Sequence, residues 1–427
     1  MTDEIKKPTK TMTVPDNSTY ANLYEISPAD MRAILNYGQN YRIQSLIDLL
    51  LKLDSHFLGK YQDRLSVIKK SQKSWKPASE DKKDMDIMEF VKSNLDPILT
   101  NANLKYLLSS LFRRFAVLEI VWNFDGKNYI VKELKQLPFS SFEFSNKIME
   151  HQYDSNFRLM IYNVSTNESF EIPNMKAIVA FSPIKFDYAY LSISESIAPD
   201  ILMKFYAIQK DLPKFNERFA SPIIIGELGE NADKEDEALM QTALTNLGHS
   251  TRGIIGNGSK MYLLQSSGTT AETYEKTINI SNNEQSKAIV GQSGTSENGK
   301  ESSYASMKIL NGVREDIAQD SIDIVANAIN EQLVKPLVDL NFDVEDYPVY
   351  QISLPVNFAA MLDNDTKLKG LGVQFKKEYL AKRYDIAEEN FDLVEPSPEI
   401  SGFSALANFG DDKKKSQKLE QSQNLFS

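Results

Sequence analysis

Between Tyr41 and Lys70 the apolar residues return every three or four positions, with Leu46, Leu49, Leu50, Leu53 and Phe57 on one stripe. That is the period of a helix with one buried face, so YRIQSLIDLLLKLDSHFLGKYQDRLSVIKK reads as helical throughout, ending at Lys73-Ser-Trp75-Lys-Pro77. A second helical stretch covers about 84–114, with a break near Pro97. It runs into Val117–Trp122, which with Tyr129–Leu134 and Ser141–Phe144 predicts a small antiparallel sheet. Asp125-Gly126 marks a tight hairpin between the first two strands.

Further along, Ala177–Phe181 has the character of a strand, followed by a helix at about 193–212 with Ile197, Ile201, Phe205, Ile208 and Leu212 on one face. Pro222–Gly226 reads as another strand, and an acidic helix at about 232–247 stops at Gly248. Gly253-Ile-Ile and Met261–Leu264 flank Asn257-Gly258, a second hairpin signal. A polar helix covers about 272–290. The longest late helix runs from about 305 to Lys335, with Ile322, Val325, Ile329 and Leu333 as its stripe and Pro336 as its stop. Residues 1–22 and 398–427 are polar and read as disordered tails, the DDKKK cluster of the second as solvated charge. No βαβ series and no internal repeat appears, so the fold class is α+β.

At 427 residues, 41% hydrophobic and 25% charged, the chain has the composition of a folded globular protein with a large core. No apolar run approaches the length needed to cross a bilayer, and the first residues lack the apolar segment of a signal peptide. The expectation is a protein made in a cytoplasm, without a membrane. The absence of cysteine removes disulfides, thiolate nucleophiles and cysteine metal sites together. His56, His151 and His249 stand far apart without ligand spacing and read as structural or surface residues; GxSxG is absent too. No cofactor is expected. A net charge of −11 argues against a tight grip on nucleic acid, though an acidic wall would let a polyanion slide past.

The stretch Gly294-Thr-Ser-Glu-Asn-Gly-Lys300-Glu301 is one residue short of a phosphate loop, GxxxxGK followed by Ser or Thr. Such a loop needs a buried strand before it and a hydroxyl after the lysine to bind Mg²⁺. Here Glu301 would place a carboxylate against phosphate. Ser302 lies one residue late, about 100° further round a helix. The preceding Glu284–Val290 is helical in pattern rather than a β-branched strand. The near-match reads as a decoy within a long polar loop, Gln292–Ser303, of the kind that is functional or disordered.

The order of segments resembles the Mu-type portal proteins of tailed phages. Asp54 and Arg64 followed by Trp75-Lys-Pro77 resemble the family's D…R…W-x-P spacing. Residues 112–124 (FRRFAVLEIVWNF) are similar to "G-x-s-v-x-E-i-v-W", with Phe115 or Ala116 where glycine is usual. Lys176-Ala-Ile-Val resembles "K-f-i-v". Residues 215–226 (FNERFASPIIIG) resemble "f-x-E-x-f-G-x-P-x-x-i-G", Ala220 replacing the glycine. Residues 284–292 (EQSKAIVGQ) and 330–342 (NEQLVKPLVDLNF) resemble two further family runs, "e-i-s-x-x-i-l-G-q" and "l-N-x-x-l-i-x-x-l-v-x-x-N-F". The family's Gly-Ser-Ala after the loop is replaced by Glu301-Ser-Ser-Tyr304. The resemblance covers about residues 25–395.

The resemblance implies a portal-type fold with a helical wing, a two-helix stem, a small β clip and a long late helix. It implies a homo-oligomeric ring of about twelve copies at one capsid vertex, through which double-stranded DNA is packaged and ejected without catalysis by the ring. The wing would be 23–232. The stem would be 233–291, its helices at 233–250 and 272–291 and its clip hairpin at about 251–271. The tunnel loop would be 292–303, and 304–397 would carry the late helix and C-terminal wing or crown. Gln292, Ser293, Gly294, Thr295, Ser296, Glu297, Asn298, Gly299, Lys300 and Glu301 would face the DNA channel, Lys300 touching phosphate briefly and Glu297 and Glu301 keeping the contact weak. Asn257, Gly258, Ser259 and Lys260 would dock the motor. The implied partners are the terminase large subunit, capsid and scaffold proteins, and a neck or tail adaptor. The implied location is the virion, after assembly in the host cytoplasm. The acidic stretch 227–237 (ELGENADKEDE) fits either a channel wall or a solvated helix N-terminus. The competing functions are a nucleotide-binding enzyme built on Gly294–Glu301, which ATP binding would reveal, and another virion structural or adaptor protein.

Overall fold

The computed structural model describes residues 12, 14–15, 17, 26–145, 158–186, 189–214, 223–247, 260–264, 269–292, 304–355, 358–384 and 386–393. Helix α1 (Pro28–Tyr37) opens on a reciprocal cap, Ser27 accepting from the Asp30 amide and the Asp30 carboxylate accepting from Ser27. The stripe expected as one helix over 41–70 folds as two, α2 (Asn40–Leu53) and α3 (Ser55–Lys70). Asp54 divides them. Its backbone is extended, and its carboxylate accepts the amides of His56 and Phe57 at 2.8 and 3.1 Å. The apolar stripe continues across the break because both helices pack on the same core, so periodicity alone did not register it. Strand β1 (Gln72–Lys76) precedes α4 (Lys82–Leu95), α5 (Asn101–Leu108) and α6 (Ser110–Arg113), with the chain broken around Pro97 as expected.

Strands β2 (Phe115–Phe124) and β3 (Tyr129–Gln136) form the expected hairpin, closed where the Asp125 amide donates to the Asn128 carbonyl at 3.1 Å. The third strand of that sheet is not 141–144. There, β4 (Phe142–Phe144) pairs with β5 (Leu159–Asn163), and β5 with β6 (Glu168–Glu171), as a separate sheet. The place beside β2 goes to β7 (Ala177–Phe181), giving the order β3-β2-β7. The reason lies in the two faces of β2. Leu118 and Ile120 join Ile178 in the main core, formed with α2–α5. Phe115 and Val117, opposite Phe181 and Val179, join Phe142, Phe144, Leu159 and Ile161 in a second cluster. A strand buried on both sides is nearly continuously apolar, here interrupted by the buried Glu119, and its partners are chosen by packing.

After β7 come α7 (Ile193–Tyr206), continued by a π turn at Ala207–Asp211, and then β8 (Ile223–Glu227), α8 (Lys234–Leu247), β9 (Lys260–Leu264), α9 (Thr269–Val290) and α10 (Tyr304–Ile329). The late helix does not stop at Pro336. A π turn at Asn330–Val334 leads into α11 (Lys335–Asp339), whose first turn holds the proline. There its missing N–H takes nothing from the ladder, and Lys335 donates five residues back to Asn330. Strand β10 (Val349–Ser353) then pairs antiparallel with β1. All of this lies in a first compact unit, residues 1–355.

The second unit, 356–427, holds α12 (Phe358–Gly370) and α13 (Lys377–Tyr384). Within it the buried Asp365 accepts from Arg383 Nε at 2.9 Å and the Tyr384 hydroxyl at 2.8 Å.

Contacts of the described residues bear on two further stretches of the sequence. Residues 1–22 were expected to be a disordered tail, yet Met12 and Val14 pack on the second apolar cluster. Asn17 is buried, donating to the carbonyls of Ser140 and Tyr162 at 3.0 and 2.5 Å, while Ser141 Oγ donates to the Pro15 carbonyl at 2.5 Å. Polar composition concealed this anchoring, because the asparagine satisfies backbone groups that the sheet leaves open. The conformation that favours glycine lies at Arg114, with φ 71°, rather than at Phe115 or Ala116. Such a backbone costs about 1–3 kcal/mol. The buried two-point pairing of Arg114 with Glu195, at 2.8 and 2.5 Å, fixes it in place. Residues 398–427 lie outside the described residues.

Candidate functional site

The helices flanking residues 292–303 are α9 and α10, and their ends define the candidate site. Helix α9 stops because Gly291 takes φ +77° while its amide still donates to the Lys287 carbonyl at 3.0 Å. A Cβ at that position would lie 2.4 Å from Cδ1 of Ile317 on α10, so the conformation calls for glycine and any side chain would have to push the end of Ile317 aside. Gln292 follows, 3% exposed, and its amide atoms have no hydrogen-bond partner among the described residues.

The C-terminal half of α9 is tied to the body of the protein by a polar seam. Asp54 accepts from Lys204 Nζ at 3.0 Å and from the Gln285 amide at 2.9 Å. Lys204 also donates to Asn282 at 2.6 Å, Ser281 Oγ donates to the Asp200 carbonyl at 2.9 Å, and His56 Nε2 shares a 2.9 Å hydrogen bond with Ser286 Oγ. Burial works against the charge on Asp54. The Lys204 ammonium, the Gln285 amide and the Phe57 N–H outweigh it and hold the carboxyl below its ordinary range. Burial, and then the charges of Lys204 and Lys60, hold the His56 imidazole below its usual value. A buried pair of this kind fixes geometry more than it adds net stability, but removing one member leaves the other charge stranded.

Helix α10 is held to α3 by two arginine contacts, one arginine from each helix. Arg64 donates to the Ile317 carbonyl at 2.9 Å and to Ser321 Oγ at 2.5 Å. Burial brings its guanidinium down to about 10, with Asp320 working the other way. One turn earlier on α10, Arg314 grips both oxygens of Asp63 at 2.9 and 2.8 Å. Asp54 and Arg64, sequence features without an assigned role, thus anchor the two helices that bracket 292–303.

The other half of the site is built differently. β8 and β9 pair antiparallel, Glu227 opposite Lys260, and α8 packs on β8 where Met240 and Leu244 close over Gly226. Apolar and aromatic side chains stand exposed here, Ile225 at 46% and Leu239 at 62%, with Ile280 on the first half of α9 at 57%.

Of the expected channel residues, Gln292 is described, while Ser293, Gly294, Thr295, Ser296, Glu297, Asn298, Gly299, Lys300 and Glu301 lie outside the described residues, as does the near-match to a phosphate loop. Of the expected docking hairpin, Lys260 opens β9, and Asn257, Gly258 and Ser259 lie outside. The expected partner strand Gly253-Ile-Ile and the turn at Asn257-Gly258 lie outside the described residues. Among the described residues, 260–264 pair with β8, reached across α8. The Asp54–Lys204–Gln285 seam had gone unnoticed. Its signal was the run of polar residues Ser281, Gln285 and Ser286 on one face of a helix, which reads as a solvated face until a partner is supplied. Among the described residues no three His, Asp or Glu side chains converge as a metal site requires, and no helix is long and apolar enough to cross a membrane.

Comparison with known proteins adds a family. The profile described as the portal protein of Mu bacteriophage matches residues 44–386. The Mu-like prophage FluMu protein gp29 of Haemophilus influenzae is 27% identical over 206 residues, 46% of this chain and 39% of that protein. The portal protein of Escherichia phage Mu is 25% identical over 142 residues, 33% of this chain and 28% of that one. The matches therefore span less than half of either relative's length. Among solved structures, a chain from the virion of a native gene transfer agent particle aligns with TM-score 0.54 at 12% identity, covering 79% of this chain and 92% of that one. A chain from the neck of an empty particle of that agent gives the same score and identity over 83% and 93%. At such identity the likeness is one of fold.

Proposed function

The chain belongs to the phage Mu portal protein family, and on that premise we propose that its copies close head to tail into a ring at one capsid vertex, through which double-stranded DNA enters and leaves. The family is structural, and the ring acts as a conduit while a separate motor hydrolyses ATP. In this reading α8 and α9 form the stem, and the segment 251–271 between them, with Asn257–Lys260 and the rest of β9, faces the motor and later the neck. Residues 292–303 form the loop at the narrowest point of the channel, and about 23–232 with the late helix and the C-terminal unit form the wing and crown. Ring closure at about twelve copies, docking of capsid, scaffold and adaptor proteins, and assembly in a host cytoplasm belong to the same proposal.

The observation that carries it is the contrast within α9. The half next to 292–303 is locked by Asp54, Lys204 and His56, while Ile280 at mid-helix, and Ile225 and Leu239 on the preceding β8 and α8, stand in the open. A loop that must stay in place beside moving DNA needs a fixed root, and subunits that assemble need apolar surface to cover.

The test is electron microscopy of the purified chain together with its mass by light scattering. Rings of about a dozen subunits with a central hole are expected. A chain that stays monomeric both alone and when produced together with its capsid and scaffold proteins would sink the reading.

A further inference from the structure

The two-stranded sheet β1–β10 has one closed edge and one open edge. On the β10 side, the amide and carbonyl of Tyr350 are taken by the side chain of Asn330 at 2.8 and 2.9 Å, and the Ile352 carbonyl by Gln319 at 3.3 Å. Those groups therefore point away from β1, toward α10. Tyr350 stands opposite Trp75 and Ile352 opposite Lys73. In an antiparallel ladder such pairs turn their backbone groups outward on both strands, so the N–H and C=O of Lys73 and Trp75 point away from β10. Among the described residues no hydrogen bond reaches these four groups. Beside the strand lies a groove of about 460 Å³ lined by Trp75, Met88, Lys92, Asp96, Leu99 and Tyr350.

The charge around this edge runs against that of the whole chain. Residues 69–76 (KKSQKSWK) hold four lysines and no acid in a chain of net charge −11. Lys69, Lys70, Lys73 and Lys76 are exposed and form no ion pair among the described residues. Lys73 Nζ donates only to neutral oxygens, the Ile68 carbonyl at 3.1 Å and Asn101 Oδ1 at 3.0 Å. Asp96, the carboxylate in the groove, is engaged by the indole N–H of Trp75 at 2.7 Å.

We propose that the free edge of β1 receives an extended acidic segment of another protein chain as a third strand. The segment's backbone pairs with Lys73 and Trp75, its carboxylates meet the four lysines, and its apolar side chains enter the groove. The edge presents two donors and two acceptors. A DNA backbone offers acceptors to the lysines but no donors for the carbonyls of Lys73 and Trp75, and an RNA backbone offers only its 2′-hydroxyls, so an extended peptide, with regularly spaced N–H and C=O groups, fits better. A second copy of β1 would set Lys73 and Lys76 against their like, which opposes self-pairing. This inference does not depend on the ring.

The experiment measures binding of the full chain, by fluorescence anisotropy, to two blocked six-residue peptides, one alternating Val and Glu and the other alternating Val and Lys. A single-stranded oligonucleotide serves as the third probe. The acidic peptide is expected to bind and the basic one not. Lys76→Glu weakens the acidic complex by about tenfold at low salt and less at high salt. Lys73→Pro removes an outward N–H, a position where an edge strand tolerates proline, and abolishes binding, whereas Lys73→Gln keeps the N–H and loses only part of the affinity. Thermal unfolding of each variant confirms that the chain remains folded. Equal binding of the two peptides overturns the proposal, as does unchanged binding by a folded Lys73→Pro or by Lys76→Glu. Oligonucleotide binding sensitive to Lys76→Glu with no peptide binding overturns it in favour of nucleic acid. Self-association lost in Lys73→Pro overturns it in favour of a second copy.

Discussion

Helix α9 behaves as two regions. From Ser281 to Val290 it buries Ser281, Gln285, Ser286, Ile289 and Val290, and three of those five are polar. From Glu272 to Ile280 it is largely exposed, and the strands and helix that precede it show Ile225, Tyr262 and Leu239 to solvent. The first region is fixed by directional bonds, which admit one register and one rotation. The second presents apolar area without direction, which stabilises nothing until another surface covers it. One helix thus joins a part whose geometry is complete within the chain to a part that, in the proposed ring, another surface would cover.

The sharpest way to break this contrast is Asp54→Ala. It strands the Lys204 ammonium, removes a partner of Gln285 and uncaps α3, so unfolding in urea should reveal a loss of about 3–5 kcal/mol. A loss near that of a surface change would mean that the seam does not fix the helix. Next in size is Gly291→Ala, which forces a side chain into positive φ and against Ile317. A loss of roughly 2–4 kcal/mol is expected, and Ile317→Ala in the same chain should restore the part due to the clash but not the part due to backbone strain. Full restoration would remove strain from the account.

The pH dependence of stability sharpens the comparison further. The folded value of His56 lies below its unfolded one, so the unfolded chain takes up the proton first, and stability falls as pH drops through about 6.5. Asp54 acts in the same direction at lower pH, since its contribution is lost as pH falls through its lowered folded value. His56→Gln should flatten the slope between about pH 7.5 and 5.5, and a slope that persists would assign it elsewhere. The smallest expected effect is that of Leu239→Ser, within about 0.5 kcal/mol for the isolated chain, because the side chain is already in water. In the proposed ring the same change should lower the assembled fraction seen by light scattering. A large loss of stability in the monomer would show that the exposed region is not waiting for a partner.

Local pattern located the elements well where one face alone is buried. The stripes of α2, α7 and α10 and the Asp125-Gly126 turn follow from side-chain period and turn chemistry, both set by residues a few positions apart. Pattern misjudged the break at Asp54 and the passage through Pro336, because an apolar stripe does not register a cap, and a π turn can accommodate a proline. It misassigned the third strand beside β2, since a strand buried on both faces gives no clue to which partner lies on which side. Gln292, the one expected channel residue that is described, sits at the root of the loop.

By itself, then, the sequence determined the helices and strands with one clear apolar face, that the class is α+β, and, through ordered short resemblances, the family. The tertiary structure alone brought Asp54 to Lys204, 150 residues away, and to Gln285, 231 away, and twisted Arg114 into a conformation that its pairing with Glu195 upholds. The physical reason is range. Periodicity encodes which face of an element avoids water, a property of neighbours in sequence, whereas a buried polar bond is specified only when packing delivers both partners to the same place.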